Sequence, residues 1–387
     1  MLLNAPDILL LLLIFQLLFA GIYLYTKKNG KAVSNRLLGC FFIAIGISMA
    51  DNLLLHIGVW YNYPNWATLS SAFPLLYGPL LLLYTQSLIY RSFTLSNKKL
   101  LHFLPFLLFF TLSLIQYQVQ PVALKITILH AISAHHIPRY FYLGALTMIV
   151  HFCVYATVSL AAINKYKAVA LNKFSSVQKI NLNWLVSSII FFVVLFVLSL
   201  LNNVFEIASQ PKFNAVILLV IILLLFYFIN RVIVKALQNP EYFSWMDEDE
   251  IPVKLRTDTA IDLPDKSAEL NTLIVHMSEN KPYLNPDLTV ESLAKSLRMH
   301  PKEVSRLIND HLQQNFFDFV NRYRIREAQS LLTNNPDKKI TVLEILYKSG
   351  FNSKSSFNTL FKKYTGTTPT EFKTQNFGSI TDSVRIK

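Results

Sequence analysis

The first 230 residues contain seven apolar runs that are each long enough to cross a lipid bilayer. A spanning α-helix needs about 20 apolar residues, within a range of roughly 17–25. The only formal charge inside these runs is Asp51, whereas a surface helix of a water-soluble protein carries charges along one face. The runs cover residues 8–25, 37–57, 69–90, 100–117, 140–163, 182–201 and 213–230. They predict an all-α, polytopic bundle of seven transmembrane helices, which together with its connections occupies residues 1–235.

The distribution of charge separates this region from the rest of the chain. Residues 1–230 contain 14 Lys or Arg and 3 acidic residues, whereas residues 231–387 contain 22 and 20. The second density is usual for a soluble domain. The net charge of +13 and the pI of about 9.5 come mostly from the membrane part. Net charge alone is therefore no evidence for nucleic-acid binding.

Basic residues in the loops predict the orientation of the bundle. The loops after the first, third and fifth runs contain eleven Lys or Arg, and the alternate loops contain only Lys125, Arg139 and Lys212. Because basic loops stay in the cytoplasm, the N-terminus should lie outside and the C-terminal region inside. The segment Met1–Asp7 has no positive charge, which favours a retained span over a cleaved signal peptide. We expect a multi-pass protein of the cytoplasmic (inner) membrane.

A few polar residues in this region are candidates for sensing a signal. Asp51 and Asn52 lie near the outer end of the second run, and Glu206 lies just past the outer end of the sixth. Ionisable groups at such depths usually pair with one another or line a cavity. They indicate either an outward-facing ligand pocket or a polar contact between helices, with simple solvation as a further alternative for Glu206. His135 and His136, in an outer loop, could sense pH or bind a metal, or could simply be exposed.

The sequence contains no pattern typical of an enzyme. No phosphate-binding glycine loop, paired nucleophile and base, or metal-ligand spacing occurs. Cys40 and Cys153 are the only cysteines and both lie in apolar runs, which favours small buried residues over a disulfide or metal site. We therefore expect no catalytic residues, no metal and no cofactor.

A tether connects the membrane part to the C-terminal region. Residues 236–264 contain the acidic run Asp247–Glu250 together with Pro252 and Pro264, which favours a solvated cytoplasmic linker. Residues 265–376 form the predicted soluble domain, and 377–387 form a C-terminal tail.

Helix signals in the soluble domain come as two similar pairs. The first pair covers about 290–309, with Pro301 suited to the first turn of its second helix. The second covers about 342–364, where Thr341 and Glu344 form a capping-box pattern. Gly350 suits the left-handed exit of a helix. A longer amphipathic helix connects the pairs. Two short helices around a tight turn, each with one apolar face, are typical of a helix-turn-helix motif.

The second helix of each pair, here called the reading helix, has an outward face rich in hydroxyl, amide and cationic groups. Such groups contact base edges in the major groove, and lysines neutralise phosphates. Asn309 is also expected on the outward face of the first reading helix. The candidates for base contacts are Lys302, Ser305, Arg306, Lys354, Ser355, Asn358 and Thr359, and those for phosphate contacts are Lys362 and Lys363.

These residues resemble a known family over 284–373. The stretches Gly350–Phe357 and Phe361–Pro369, with Arg324–Ala328 before them, resemble the AraC/XylS DNA-binding domain. The resemblance implies seven helices, control of transcription and base contacts from both reading helices. It also implies that Arg324 is a structural residue of the core. Leu76–Pro79 in the third run resembles, over a short stretch, the membrane region that precedes such domains in some bacterial regulators.

The chain departs from the family pattern at four positions. Arg298 stands where glycine is usual in the first turn, and His300 replaces the usual serine cap. Leu346 replaces a small alanine, and Thr359 stands where many members carry arginine. These departures bear on the target sequence more than on the fold.

The preferred function is a membrane-anchored, sequence-specific transcription regulator that couples a membrane or extracytoplasmic signal to DNA binding as a one-component sensor. One alternative is a transporter-like membrane protein with a regulatory helix-turn-helix domain. Another is a membrane scaffold whose helical module binds protein. The expected partners are double-stranded DNA, membrane lipid, an unidentified signal ligand, RNA polymerase and a second copy of the chain in a homodimer.

Overall fold

The computed structural model describes residues 4–27, 32–90, 93–133, 140–176, 182–207, 211–238, 266–333 and 340–375. The chain forms two compact units. The first comprises Met1–Asn164 and Leu182–Glu248, and the second comprises Lys165–Asn181 and Asp249–Lys387. The short segment Lys165–Asn181 therefore groups with the C-terminal region, although it lies between two apolar runs of the sequence.

The first unit is built from long apolar helices. We number the helices of six or more residues in chain order: α1 (Ala5–Thr26), α2 (Ala32–His56), α3 (Pro74–Ile89), α4 (Leu104–Gln118), α5 (Val122–Ser133), α6 (Tyr140–Lys173), α7 (Asn183–Ile207) and α8 (Pro211–Gln238). The last residues of α6, from Lys165, group with the second unit. Two single helical turns lie between α2 and α3, over Val59–Asn62 and Pro64–Trp66. Two more lie between α3 and α4, over Asn97–Leu100 and Leu101–Phe103.

Among the described residues, six helices are long and apolar enough to cross a membrane. They correspond to six of the seven predicted runs. The exception is the third run, predicted over 69–90, of which only Pro74–Ile89 is α-helical. Sixteen residues at about 1.5 Å each give a helix of about 24 Å, which is less than the roughly 30 Å of a hydrocarbon core. Residues 68–73 form turns instead of a first helical turn.

Glycines allow α1 and α2 to pack closely. A Cβ atom added at Gly39 would lie 2.6 Å from the carbonyl oxygen of Gly21, and one added at Gly21 would lie 2.7 Å from a side-chain carbon of Ile43. Small residues that let helix backbones approach are typical of packing between helices in membranes. The opposite face of α1, including Phe15 and Phe19, is exposed and apolar, as is suitable for contact with lipid.

The second unit contains seven α-helices among its described residues from 266 to 375. Six of them are α9 (Ser267–Glu279), α10 (Val290–Leu297), α11 (Pro301–Arg306), α12 (Phe316–Thr333), α13 (Val342–Lys348) and α14 (Lys354–Thr365). A last helix covers 369–375. The helices match the predicted order of two helix pairs around a connecting helix.

Apolar residues at helical spacing form the core around the first helix pair. Leu273 and Met277 of α9 pack with Leu293 of α10, Ile308 after α11 and Val320 of α12. All five side chains are buried, so removing them from water stabilises the packing of these helices. The described residues contain no β-strand, and Phe174 forms an isolated bridge with Thr289. The all-α prediction is confirmed.

Candidate nucleic-acid interface

Local hydrogen bonds define both helices of the first motif. Thr289 caps α10, its hydroxyl accepting a bond from the Ser292 amide at 3.2 Å. His300 caps α11 in place of the usual serine, with its Nδ1 accepting from the Lys302 amide at 3.2 Å. Glu303 closes the capping box by accepting from the His300 amide at 3.2 Å. The departure at His300 therefore preserves the cap.

The turn between the two helices contains a strained residue. Arg298 has φ 55° and ψ 35°, the left-handed conformation. Glycine enters this region freely, whereas a side chain costs about 1–2 kcal/mol there. This explains why glycine is usual at this position in the family that the sequence resembles. The fold tolerates Arg298, since the helices on both sides have the expected bounds.

The first reading helix presents its predicted side chains outward, with one exception. Lys302 and Arg306 are exposed and Ser305 is partly exposed. Asn309 is buried, and its amide donates a hydrogen bond to the Ser305 hydroxyl at 3.1 Å. The outward prediction for Asn309 is wrong because Leu307–His311 is π-helical. A π turn contains more residues than an α turn, so position 309 rotates away from the outward face.

The second motif begins and turns as its sequence predicts. The Thr341 amide donates to Glu344 Oε2 at 2.7 Å, and the Glu344 amide donates to Thr341 Oγ1 at 3.1 Å. The bond from the Thr341 backbone lowers the pKa of Glu344. Ser353 caps α14, and its hydroxyl accepts from the Ser356 amide at 3.4 Å. The capping-box prediction is confirmed.

Gly350 occupies a position that only glycine satisfies. Its φ is 83°, and a Cβ atom there would clash with the Tyr283 carbonyl oxygen and lie 2.8 Å from Leu284 Cα. The turn of the second motif is therefore in contact with the backbone before the first. Phe351 follows it, buried against Phe357 with 5.1 Å between the ring centroids, as expected for a core residue.

The second reading helix presents a continuous polar face. Phe357, Leu360 and Phe361 are buried, so the intervening positions face solvent. The exposed residues are Lys354, Ser355, Asn358, Thr359, Lys362 and Lys363. All six are among the predicted DNA contacts, although contact with bases or phosphates stays a prediction.

Asp318 joins the connecting helix to the second reading helix. Its Oδ1 accepts hydrogen bonds from the hydroxyl of Tyr364 and from Lys363 Nζ at 3.0 Å. Its Oδ2 accepts from the Asn315 amide group at 3.0 Å. Burial alone would raise the pKa of Asp318, but the bonds from Tyr364, Lys363 and Asn315 together lower it. Lys363, predicted for phosphate, thus has an internal partner as well.

Arg324 is buried as expected, with 2% of its surface exposed. Its Nε donates to the Tyr283 carbonyl at 2.7 Å and its Nη2 to the Asn285 carbonyl at 2.7 Å. The same guanidinium also donates to Ser175, through Nη1 to the carbonyl and Nη2 to the hydroxyl, each at 3.0 Å. Burial lowers the pKa of Arg324 to about 10, and the charge of Asp287 opposes this shift. Arg324 therefore stays a cation at neutral pH.

The geometry suits contact with a duplex. The connecting helix has 18 residues, or about 27 Å at about 1.5 Å each. This length is comparable to the roughly 34 Å between successive major-groove segments on one face of DNA. Residues 281–373 contain 15 Lys or Arg and 9 acidic residues, so this region carries a net positive charge that favours binding to phosphates. Short polar and cationic side chains on both reading helices can then contact base edges.

The signal candidates in the first unit have partners of their own. Asp51 Oδ1 accepts a hydrogen bond from Trp60 Nε1 at 2.7 Å, and its Oδ2 accepts one from the Ser70 hydroxyl at 2.6 Å. Asn52 is exposed and donates to the Ser48 carbonyl at 2.8 Å. Glu206 lies near the end of α7, but its side chain is outside the described residues. His135 and His136 also lie outside them. A sensing role for Asp51, Asn52 and Glu206 stays a prediction.

The sequence did not predict a buried cation in the first unit. Lys125, expected only as a loop residue, lies in α5 with 4% of its surface exposed. Its Nζ donates to Asn65 Oδ1 at 2.8 Å and to the Gln118 carbonyl at 3.0 Å. The helical spacing of Val122 and Leu129 was a signal that could have predicted α5.

The C-terminal region matches a known family. Residues 293–375 match the family described as a helix-turn-helix domain. This range covers most of both motifs and the connecting helix between them, which are the elements that carry the predicted DNA-facing side chains. No solved structure matches the chain significantly.

Three curated proteins are similar to part of the chain. The transcriptional regulatory protein YesN of Bacillus subtilis is 33% identical over 97 residues, which is 24% of this chain and 26% of that protein. The HTH-type transcriptional regulator GlxA of Rhizobium meliloti is 31% identical over 78 residues, 20% of this chain and 23% of that protein. The probable transcription factor PqrA of Proteus vulgaris is 26% identical over 89 residues, 23% of this chain and 70% of that protein.

The chain spans about a quarter of the length of the first two of these relatives. The matched family and the relatives named above support a transcription regulator with a helix-turn-helix domain.

Proposed function

We propose that this protein is a membrane-anchored, one-component regulator that binds specific DNA sequences and responds to a signal received by its membrane part. The observation that carries the DNA-binding part is the exposed polar and cationic face of the two reading helices. Arg306 on one helix and Asn358 on the other are types of side chain that discriminate bases through paired hydrogen bonds. The apolar side chains of the same helices are buried in the core. Core packing therefore does not account for the polar and cationic residues on the exposed faces.

Membrane anchoring is supported by six long apolar helices. We count α3 as a seventh span. At 16 residues it is shorter than those six spans, which have 20–32 residues and include Asn97–Gln118 as one continuous stretch. Most of its residues are buried, so protein rather than lipid surrounds it. An odd number of spans and the basic loops together favour an outer N-terminus and a cytoplasmic DNA-binding region. The grouping of Lys165–Asn181 with the C-terminal unit supports placing the loop after the fifth predicted span on that same side.

The sensing part of the proposal is based on Asp51 and its two hydrogen-bond partners. Asp51 connects α2 to Trp60 and Ser70 in the connection that follows it. A signal that competes for this carboxylate would alter the outer end of α2. We expect Asp51→Asn to change the expression of a target gene without changing which DNA sites are bound. An unchanged expression level in this variant would argue that Asp51 only maintains the fold.

The test of DNA binding is chromatin precipitation of the full-length protein from its own membrane. We expect discrete sites, each with two half-sites about 34 Å apart. A variant with Arg306→Ala and Asn358→Ala serves as the control, since both side chains are exposed and contribute nothing to the buried core. Equal enrichment of the same sites by this variant would contradict base contacts from the reading helices.

A further inference from the structure

A short polar turn outside the helix-turn-helix motifs is embedded in the second unit. Phe174–Ser176, here called the Ser175 turn, directly follows the C-terminal end of α6. Ser175 and Ser176 are buried, at 2% and 6% exposure. A turn that connects two membrane spans would ordinarily be exposed to water. Its burial needs a specific explanation.

Ser175 uses both its backbone and its side chain in this contact. Its hydroxyl donates to the Leu288 carbonyl at 2.7 Å and accepts from Arg324 Nη2 at 3.0 Å. Its carbonyl accepts from Asn321 Nδ2 at 3.1 Å and from Arg324 Nη1 at 3.0 Å. Four hydrogen bonds to a single residue define one arrangement, because each group has few alternative partners once buried.

Two flanking contacts extend the same attachment. Phe174 forms an antiparallel bridge with Thr289, the capping residue of α10. Lys173 Nζ lies 3.9 Å from Glu291 Oε1 in the first turn of α10. The Ser175 turn is therefore attached both to the start of the first helix-turn-helix motif and to the connecting helix.

The partners of Ser175 are also the residues that connect the two motifs. Arg324 reaches the Tyr283 and Asn285 carbonyls before the first motif. Its guanidinium lies 5.7 Å from the ring centroid of Phe351 in the turn of the second motif. Losing Ser175 would remove two of the acceptors of a buried cation. Leaving buried donors unsatisfied is costly, so the environment of Arg324 would rearrange.

The contact is compatible with DNA binding. Lys302 and Arg306 on the first reading helix are exposed while the Ser175 turn is bound, and so are Ser355 and Asn358 on the second. Among the described contacts of the turn, none involves a predicted DNA-facing residue. The bound turn thus supports the arrangement of the two motifs instead of covering their DNA-facing surface.

We propose that the Ser175 turn is an internal docking site through which α6 controls the DNA-binding domain. When the turn is docked, Arg324 holds the two motifs in the arrangement that binds DNA. When a change in the membrane part withdraws α6, the turn is released and the two reading helices no longer engage successive grooves together. The regulatory role rests on the proposed function, whereas the docking itself does not.

Cross-linking tests the docking independently of DNA. Antiparallel bridged residues have Cα atoms about 4.5–5.5 Å apart, within the range that a disulfide accepts. In full-length protein with Cys40→Ser and Cys153→Ser, we expect the pair Phe174→Cys and Thr289→Cys to form a disulfide rapidly under mild oxidation. A protease site inserted within 250–260 lets the two halves be separated, so that only cross-linked halves migrate together without reductant.

The control pair combines Phe174→Cys with Leu343→Cys, because Leu343 is exposed on α13 and is not a partner of the turn in any described contact. Cross-linking of the first pair at the rate of this control would overturn the docking. Rapid cross-linking of the first pair alone supports it.

Substitution of Ser175 tests the regulatory role. Ser175→Arg places a second cation beside Arg324 and should release the turn, lowering occupancy of the chromosomal target sites by at least about tenfold. Ser175→Ala removes only the hydroxyl and should lower occupancy by about three- to tenfold, from two lost hydrogen bonds. Ser96→Arg is the matched control, since Ser96 is an exposed residue in another predicted cytoplasmic loop.

The two proposals fail in different ways. If the Ser175 variants retain the occupancy of Ser96→Arg, control through the turn is wrong. If the wild type itself enriches no DNA, the proposed function is wrong, while the cross-link still reports docking. If Ser175→Arg does not accumulate in the membrane, Ser175→Ala with wild-type abundance decides the regulatory role by the same occupancy measurement.

Discussion

At the scale of single residues, two glycines of the second unit have the same backbone conformation but different surroundings. Gly350 and Gly366 both have φ of 83°. A Cβ atom at Gly350 would meet the backbone of Tyr283 and Leu284, whereas one at Gly366 would meet nothing within 4 Å. Comparison of the two therefore separates conformational strain from steric clash.

We predict that Gly350→Ala destabilises the second motif by about 2–5 kcal/mol, the sum of left-handed strain and overpacking. Gly366→Ala should cost only about 1–2 kcal/mol, from the strain alone. Hydrogen exchange of α14 in the full-length protein measures the local opening free energy. Equal losses in the two variants would show that the contact with Tyr283 is relieved at little cost.

Arg306 and Lys362 are both exposed on reading helices, but we assign them different roles. We predict that Arg306→Ala costs about 1–3 kcal/mol at one base position of an operator and relaxes the preference there. Lys362→Ala should weaken binding to all sequences alike and reduce the slope of affinity against salt by about one. Binding of full-length protein to operator variants over a range of salt concentrations measures both effects. A uniform loss for Arg306→Ala would make it a phosphate contact.

At the scale of elements, helix packing depends on a few close contacts. Gly39 lies at a close contact between α1 and α2, where an added Cβ atom would lie 2.6 Å from the Gly21 carbonyl oxygen. Asp318 connects α12 to α14 through Tyr364 and Lys363. The contact at Gly39 depends on side-chain size, whereas the contact at Asp318 depends on charge. Different substitutions therefore test them.

We predict that Gly39→Leu separates α1 from α2 and destabilises the first unit by about 1–3 kcal/mol. Gly144→Leu is the matched control, because a Cβ atom at Gly144 meets nothing within 4 Å. The midpoint of thermal unfolding in detergent should fall for the first variant only. A similar midpoint for both would mean that the two helices can move apart without cost.

The pKa of Asp318 predicts a dependence on pH. Because the pKa of Asp318 is lowered in the folded protein, its contribution is present above the unfolded pKa of about 3.9. That contribution is lost as the pH falls through the lower folded value. We expect protection of α14 from hydrogen exchange to fall below about pH 4. Asp318→Asn should lower protection by about 1 kcal/mol at neutral pH and flatten the acid dependence.

An unchanged acid profile in Asp318→Asn would assign the dependence to other carboxylates. Glu344 and Glu371 are the candidates, because the backbone amides of Thr341 and Thr368 lower the pKa of their carboxyl groups.

At the scale of the whole molecule, the proposed topology is the property that decides whether a membrane signal can reach DNA. The DNA-binding region must lie in the cytoplasm, and counting α3 as a span is what makes the number of spans odd. A reporter that is active only in the cytoplasm should work when fused after Lys387. It should fail when inserted between Gly58 and Pro64, in the connection after α2. The opposite pattern would reverse the orientation.

Most of the fold could be predicted from the sequence because its signals are local. Apolar runs of about 20 residues are long enough to cross a bilayer, and capping residues such as Thr341 and His300 act on amides two or three positions away. The exposed faces of the reading helices followed from the same short-range periodicity. The burial of Asn309 did not, because the π turn that rotates it has no distinct spacing of apolar residues.

The sequence by itself determined that this protein combines long apolar helices with two helix-turn-helix motifs. Only the tertiary structure decided that α3 is shorter than its apolar run, that Lys125 is buried in α5, and that Ser175 completes the environment of Arg324. The physical reason is distance along the chain. Ser175 and Arg324 are 149 positions apart. Neither apolar periodicity nor a capping pattern predicts a hydrogen bond between residues so far apart. Such contacts form only when packed helices bring them together.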